Sequence, residues 1–172
     1  MARPDGTPKD VDKEFVVLFN IFDENQSWYL PFNIRMYTSD PSGTMKLRSE
    51  AIPEDAMGDF SLNGSGFSDA NLKFSINGFS FGNDPRMVML QGQHVRWYLI
   101  AIGFGFNFHT PHWHGNTVLV NGQRTDVLNL GPAQMITADM TPDDVGTWLF
   151  HCHVSDHMVG GMTALYRVKP AE

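Results

Sequence analysis

A single cysteine, Cys152, stands in the 172 residues of this chain, so no internal disulfide can form and packing and hydrogen bonds must hold the fold. Cationic charge is scarce too. Twelve Lys and Arg against 19 Asp and Glu leave a net charge of −7, with no basic stripe to neutralise phosphates, which argues against nucleic-acid binding. No apolar run approaches the roughly 20 residues that cross a bilayer, and residues 1–14, MARPDGTPKDVDKE, lack the apolar stretch of a secretion signal. No membrane partner is expected.

Helical periodicity is also missing. Short apolar runs recur instead at 14–22, 28–37, 74–79, 87–90, 94–102, 117–120, 134–140, 147–151 and 162–168, separated by Gly, Pro or Asn-Gly turns. This spacing predicts an all-β fold, a Greek-key β-sandwich of one domain over residues 14–172. Residues 1–13 are polar, with Pro4, Gly6 and Pro8, and read as a linker-like segment. Residues 38–71 scatter Ser, Gly, Asp and Pro, so one long inserted loop is expected there, with a short helix at 53–58. A surface loop is the plainer reading of that stretch; a cap over a site or an interface is the functional one.

The lone cysteine sits in the most informative stretch, residues 149–162, LFHCHVSDHMVGGM. His151, Cys152, His153, His157 and Met162 put thiolate, imidazole and thioether donors in one strand end and one loop. A Cys, two His and a weak axial Met form the blue-copper donor set, whereas zinc takes more thiolate or a carboxylate and has no use for the thioether. Residues 108–115, FHTPHWHG, add His109, His112 and His114, so six of the seven histidines fall in two short clusters. Alternate side chains of a strand face opposite sides. His151 and His153 therefore point one way and Cys152 the other; His112 and His114 share a parity, with His109 opposed. The resulting assignment puts His109, Cys152, His157 and Met162 on one copper and leaves four outward imidazoles as a second metal surface. Met158 is the rival axial ligand. A buried free thiol among structural histidines is the bland alternative, and it leaves the whole spaced set unexplained. His94 reads as structural, and Asp126, Asp139 and Asp156 as solvated or turn carboxylates that could instead relay protons.

At these residues the chain resembles the multicopper oxidases, in particular their ceruloplasmin-like and two-domain laccase branch. HTPHWHG and HCHVSDHMVGGM match its paired copper motifs, and the likeness extends through FDENQSWYLPFNI at 22–34, SINGFSFGN at 75–83 and VRWYLIAIG at 95–103. The resemblance implies a cupredoxin domain in which His109, Cys152, His157 and Met162 bind type 1 copper. It makes His112 a type 2 ligand and His114, His151 and His153 type 3 ligands. The implied activity is laccase-like: single electrons from a small-molecule or metal-ion reductant pass along Cys152, His151 and His153 to a cluster that reduces dioxygen to water. Four outward imidazoles supply only half of that cluster. A second cupredoxin domain, or a homo-oligomer such as a trimer, is the implied partner, and the chain by itself is expected to be a poor oxidase. A non-enzymatic blue-copper electron carrier is the alternative class. Relatives of this kind imply a periplasmic or secreted parent enzyme.

Overall fold

The computed structural model describes residues 2–37, 71–102 and 108–171; the expected loop and short helix at 53–58 lie outside them. Among the described residues the order is β1 (Lys13–Asp23), α1 (Leu30–Tyr37), β2 (Leu72–Ile76), β3 (Val88–Leu90), β4 (Val95–Ala101), β5 (Pro111–Trp113), β6 (Val118–Val120), β7 (Gln123–Thr125), β8 (Met135–Met140), β9 (Gly146–Cys152), α2 (Ser155–Val159) and β10 (Thr163–Lys169). The chain divides into two units, Met1–Asn20 with Ser75–Glu172, and Ile21–Phe74.

The first unit carries the sandwich. One sheet runs β2-β1-β4-β8-β6-β7 and the other β3-β10-β9-β5. Both are mixed, because β1 pairs parallel with β4 and β3 parallel with β10, while the β4–β8, β9–β10 and β5–β9 ladders are antiparallel. Alternation in the sequence explains which side of each strand is buried. In β4, Val95, Trp97, Leu99 and Ala101 are buried and the residues between them are not. Trp97 then meets the other sheet, with ring centroids 5.7 Å from Trp113, 5.2 Å from Phe150 and 5.9 Å from Tyr166. Aromatic rings of this size bury about 150–250 Å² each. At roughly 25 cal/mol per Å² this cluster dominates the attraction between the sheets. These features make the fold the cupredoxin-like β-sandwich expected. Between β6 and β7, Asn121 and Gly122 both have positive φ (50° and 79°), as a tight two-residue hairpin requires.

Residues 10–12 lie beside the start of β4. Arg96 donates to Asp10 at 2.9 Å, the His94 amide donates to Asp12 at 2.8 Å, and Val11 is buried.

In the second unit, the expectation of an extended segment over 28–37 is overturned: α1 is helical. Pro31 stands in its first turn, where a missing N–H costs nothing and the ring's fixed φ suits a helix. Ser27 begins the turn by accepting from the Tyr29 amide at 3.2 Å. Phe32 and Met36, four residues apart, share one helix face.

Candidate metal centre

Strand β9 organises the site, since β10 flanks it on one side and β5 on the other. On one face of β9 lies Cys152, fully buried. Its sulfur is 3.5 Å from His157 Nδ1 and 3.9 Å from His109 Nδ1. His109 arrives there because its amide and carbonyl pair with Leu130, at 2.9 and 2.8 Å. His157 arrives through α2, whose loop is closed at the base: the Cys152 amide donates to Met162 O and the Met162 amide to His157 O. The same closure draws Met162 inside, with no exposed surface, whereas Met158 stays 36% exposed. Of the two methionines, only Met162 is enclosed.

The electrostatics suit soft donors. Burial, with His157 adding to it, pulls the His109 pKa down to about 4. His157 is lowered by burial against the opposing pull of Asp156. Burial pushes the Cys152 thiol up, while the amides of Thr110 (N···S 3.4 Å) and Val154 favour its thiolate. Both imidazoles are thus neutral at pH 7, with lone pairs available, and the thiol gives up its proton only to something that compensates the charge. Nε2 of His109 is buried without a hydrogen-bond partner. Such an atom costs about 1–3 kcal/mol, a cost that Trp97 Nε1 and Trp113 Nε1 share. Metal bonds of about 2.3 Å to sulfur and 2.0 Å to nitrogen, at tetrahedral or wider angles, separate the two donor atoms by about 3.5–3.9 Å. The donors fit a transition-metal ion.

The opposite face of β9 carries His151, in register with His112 of β5. His112 Nδ1 and His114 Nε2 each lie 3.1 Å from His151 Nε2. His151 Nδ1 donates to Cys152 O at 2.9 Å, which leaves Nε2 with one lone pair for two neighbours. Only one of them can donate along it, so a cation satisfies the three nitrogens better than hydrogen bonds do. Burial lowers both His112 and His151, helped by the surrounding imidazoles. The His153 ring is 5.1 Å from that of His112 and 5.3 Å from that of His151, beside the three converging nitrogens. Parity therefore separates the donors as expected, Cys152 to one side and His151 with His153 to the other.

Sequence reasoning missed two supports of this face, Tyr166 and Trp148, and named Asp126, Asp139 and Asp156 only as solvated, turn or proton-relaying carboxylates. Tyr166 donates to His114 O and accepts from Asn116 Nδ2 at 2.9 Å. Gly115 has φ +73°, and a Cβ there would fall 2.3 Å from the Trp148 ring, so the indole packs directly on its backbone. Asp126 approaches His112 Nε2 at 3.7 Å. Asp139 is held by Arg96 (2.7 and 2.9 Å), with His94 Nε2 3.6 Å away, and Asp156 lies in the first turn of α2.

Residues 52–172 match the family model described as multicopper oxidase. Among curated proteins, the chain is 42% identical over 160 residues to hephaestin of Rattus norvegicus, covering 93% of this chain and 12% of that protein. It is 39% identical over 163 residues to ceruloplasmin of Homo sapiens, covering 95% of this chain and 14% of that protein. The chain thus spans only about an eighth of the length of such relatives. Two solved structures share the fold. One is a multicopper oxidase with a TM-score of 0.59 and 18% identity, covering 96% of this chain and 46% of that one. The other is the Campylobacter jejuni multicopper oxidase described as a metallo-oxidase, at 0.56 and 16%, covering 95% and 31%. With the matched model extending over both donor sets, this chain belongs to the multicopper oxidase family, whose cofactor is copper.

Proposed function

We propose that the chain is the type 1 domain of a laccase-like multicopper oxidase. His109, Cys152, His157 and Met162 hold one copper; His112, as a type 2 ligand, and His114, His151 and His153, as type 3 ligands, hold part of a cluster. Copper on these donors supplies one-electron oxidation of a reductant on the Cys152 side and reduction of dioxygen to water on the histidine side. The protein's part is to enclose the first donor set, keep its imidazoles neutral, and connect the two faces. One observation carries the reading: Cys152 and His151, adjacent in sequence, serve opposite faces of β9 and are joined both by their peptide bond and by the hydrogen bond from His151 Nδ1 to Cys152 O. A multicopper oxidase domain implies other domains or copies that complete its copper sites, and a second cupredoxin domain or a homo-oligomer such as a trimer meets that need here. The reductant is a small organic donor or a low-valent metal ion, and the parent enzyme works outside the cytoplasm.

The test is copper loading followed by optical absorption, electron paramagnetic resonance and metal counting, on wild type and Cys152→Ser. An intense thiolate-to-copper band that disappears in the variant, while histidine-bound copper remains, is the expected outcome. An equally blue Cys152→Ser protein refutes the first donor set. Copper found only with Cys152 supports the simple electron carrier instead.

A further inference from the structure

We propose that Phe81 is a positioning residue for Met162: its backbone and ring clamp residues 161–163 from outside and so hold the thioether in the enclosed space beside Cys152. The inference rests on the reading of that space as a copper site and adds to it a residue outside the four donors.

The clamp has two parts, and the first is backbone. The Phe81 amide donates to Gly161 O at 2.8 Å and the Gly82 amide to Thr163 O at 3.0 Å. The residues on both sides of Met162 are therefore fastened to one short segment. Met162 itself is tied to the donor loop instead, since its amide donates to His157 O at 2.9 Å and its carbonyl accepts from the Cys152 amide at 3.0 Å. Three consecutive residues thus bond alternately outward and inward, as extended backbone does.

The second part is the ring. A Cβ on Gly161 would fall 2.7, 2.8 and 2.9 Å from Cε2, Cζ and Cδ2 of Phe81, so the ring rests directly on the backbone of the residue before Met162. An exposed phenylalanine alone signifies little, and Phe81 is 65% exposed. Its backbone says more. A φ of +57° is a left-handed conformation that bulky residues rarely adopt, and it persists only where the surroundings over-determine it. Here the surroundings are the two amide bonds, the seat on Gly161, and the Asn83 side chain, which donates to Ser80 O at 2.9 Å and closes the turn. Among the four donors, a weak axial thioether contributes least to holding its own place on a metal. Its position must come from the protein, through partners outside the donor set.

The test uses the full chain and its Phe81→Ala, Phe81→Tyr, Met162→Leu and Phe81→Ala/Met162→Leu variants. In metal-free protein, amide hydrogen exchange is followed at Cys152 and Met162, with Trp97 and Leu99 of β4 reporting global opening. Phe81→Ala accelerates exchange at Cys152 and Met162 about 3–10-fold beyond any change at Trp97 and Leu99, and Phe81→Tyr, which keeps the ring, holds the wild-type rates. In copper-loaded protein, Phe81→Ala raises the reduction potential part of the way to that of Met162→Leu and adds little when Met162 is already Leu. A ring that served the fold alone would shift the potential equally in both backgrounds or in neither. Either of those results, a lowered potential, or exchange at Cys152 and Met162 no faster than the global change overturns the proposal and leaves the copper reading standing. A wild-type chain that shows no blue band on copper loading removes the proposal and the reading of the Cys152 side together.

Discussion

Gly115→Ala tests why this position must be glycine. The added methyl carbon would sit 2.3, 2.5 and 2.7 Å from Cε3, Cζ3 and Cδ2 of Trp148. Cδ2 is a ring-fusion atom, so no small rotation at the far end of the side chain relieves the overlap and the whole indole must move. Overpacking of that kind costs about 1–3 kcal/mol. A left-handed φ of +73° adds roughly 1–2 kcal/mol for any residue with a Cβ, so the variant should lose about 2–5 kcal/mol of stability in total. Gly122→Ala is the control. Its φ is +79° with nothing within 4 Å of the new atom, so it incurs the backbone cost alone. Urea unfolding of both variants, followed by tryptophan fluorescence and circular dichroism, measures the difference. Equal losses in the two would refute the argument that Trp148 dictates the glycine. Because Gly115 adjoins His114, zinc at the histidine face should weaken in Gly115→Ala, while the blue band of the Cys152 side persists.

Further expectations address the other parts of the site. Met162→Leu should keep the blue band and raise the reduction potential, since a lost thioether donor favours Cu(I) in an apolar pocket; voltammetry showing no change would remove Met162 from the ligand set. Tyr166→Phe strips partners from His114 O and Asn116 Nδ2 and should cost about 1–3 kcal/mol in urea unfolding; a loss near zero would deny those bonds any part in stability. The metal-free protein should lose stability as pH falls from about 6.5 toward about 4, because the unfolded chain takes up protons that His109 refuses when folded. His157, His112 and His151, also lowered, act in the same direction. His109→Phe should flatten this slope, and an unchanged slope would locate the effect elsewhere. Oxygen uptake by the chain alone with a phenolic donor should be slow, and rapid four-electron turnover would show that copies of this chain build the whole cluster.

Strands and the two clusters of His and Cys side chains were legible because both leave short-range marks. Period-two burial in β4 and β10 follows directly from the apolar alternation, and the spacing of His151, Cys152, His157 and Met162 is a local pattern. Three-residue strands such as β5 and β7 are too short to show a period, as is α2, and the eight residues of α1 lie inside the apolar run 28–37 that was expected to be extended. The supports were hidden for a different reason. Trp148 on Gly115 and Tyr166 on His114 are contacts between separate strands and loops, set by pairing register rather than by any motif.

The arrangement of β9 also bears on how such a chain can change over generations. Consecutive residues of one centrally paired strand serve both donor sets, so a one-residue insertion or deletion between Gly146 and His151 would turn every later side chain to the other face. Cys152 would be expelled from its enclosed space in the same event that withdrew His151 from its neighbours. Substitutions can retire either donor set singly, but length changes in this strand retire both. Drift in loop lengths, common elsewhere in such sandwiches, is therefore closed to this one segment.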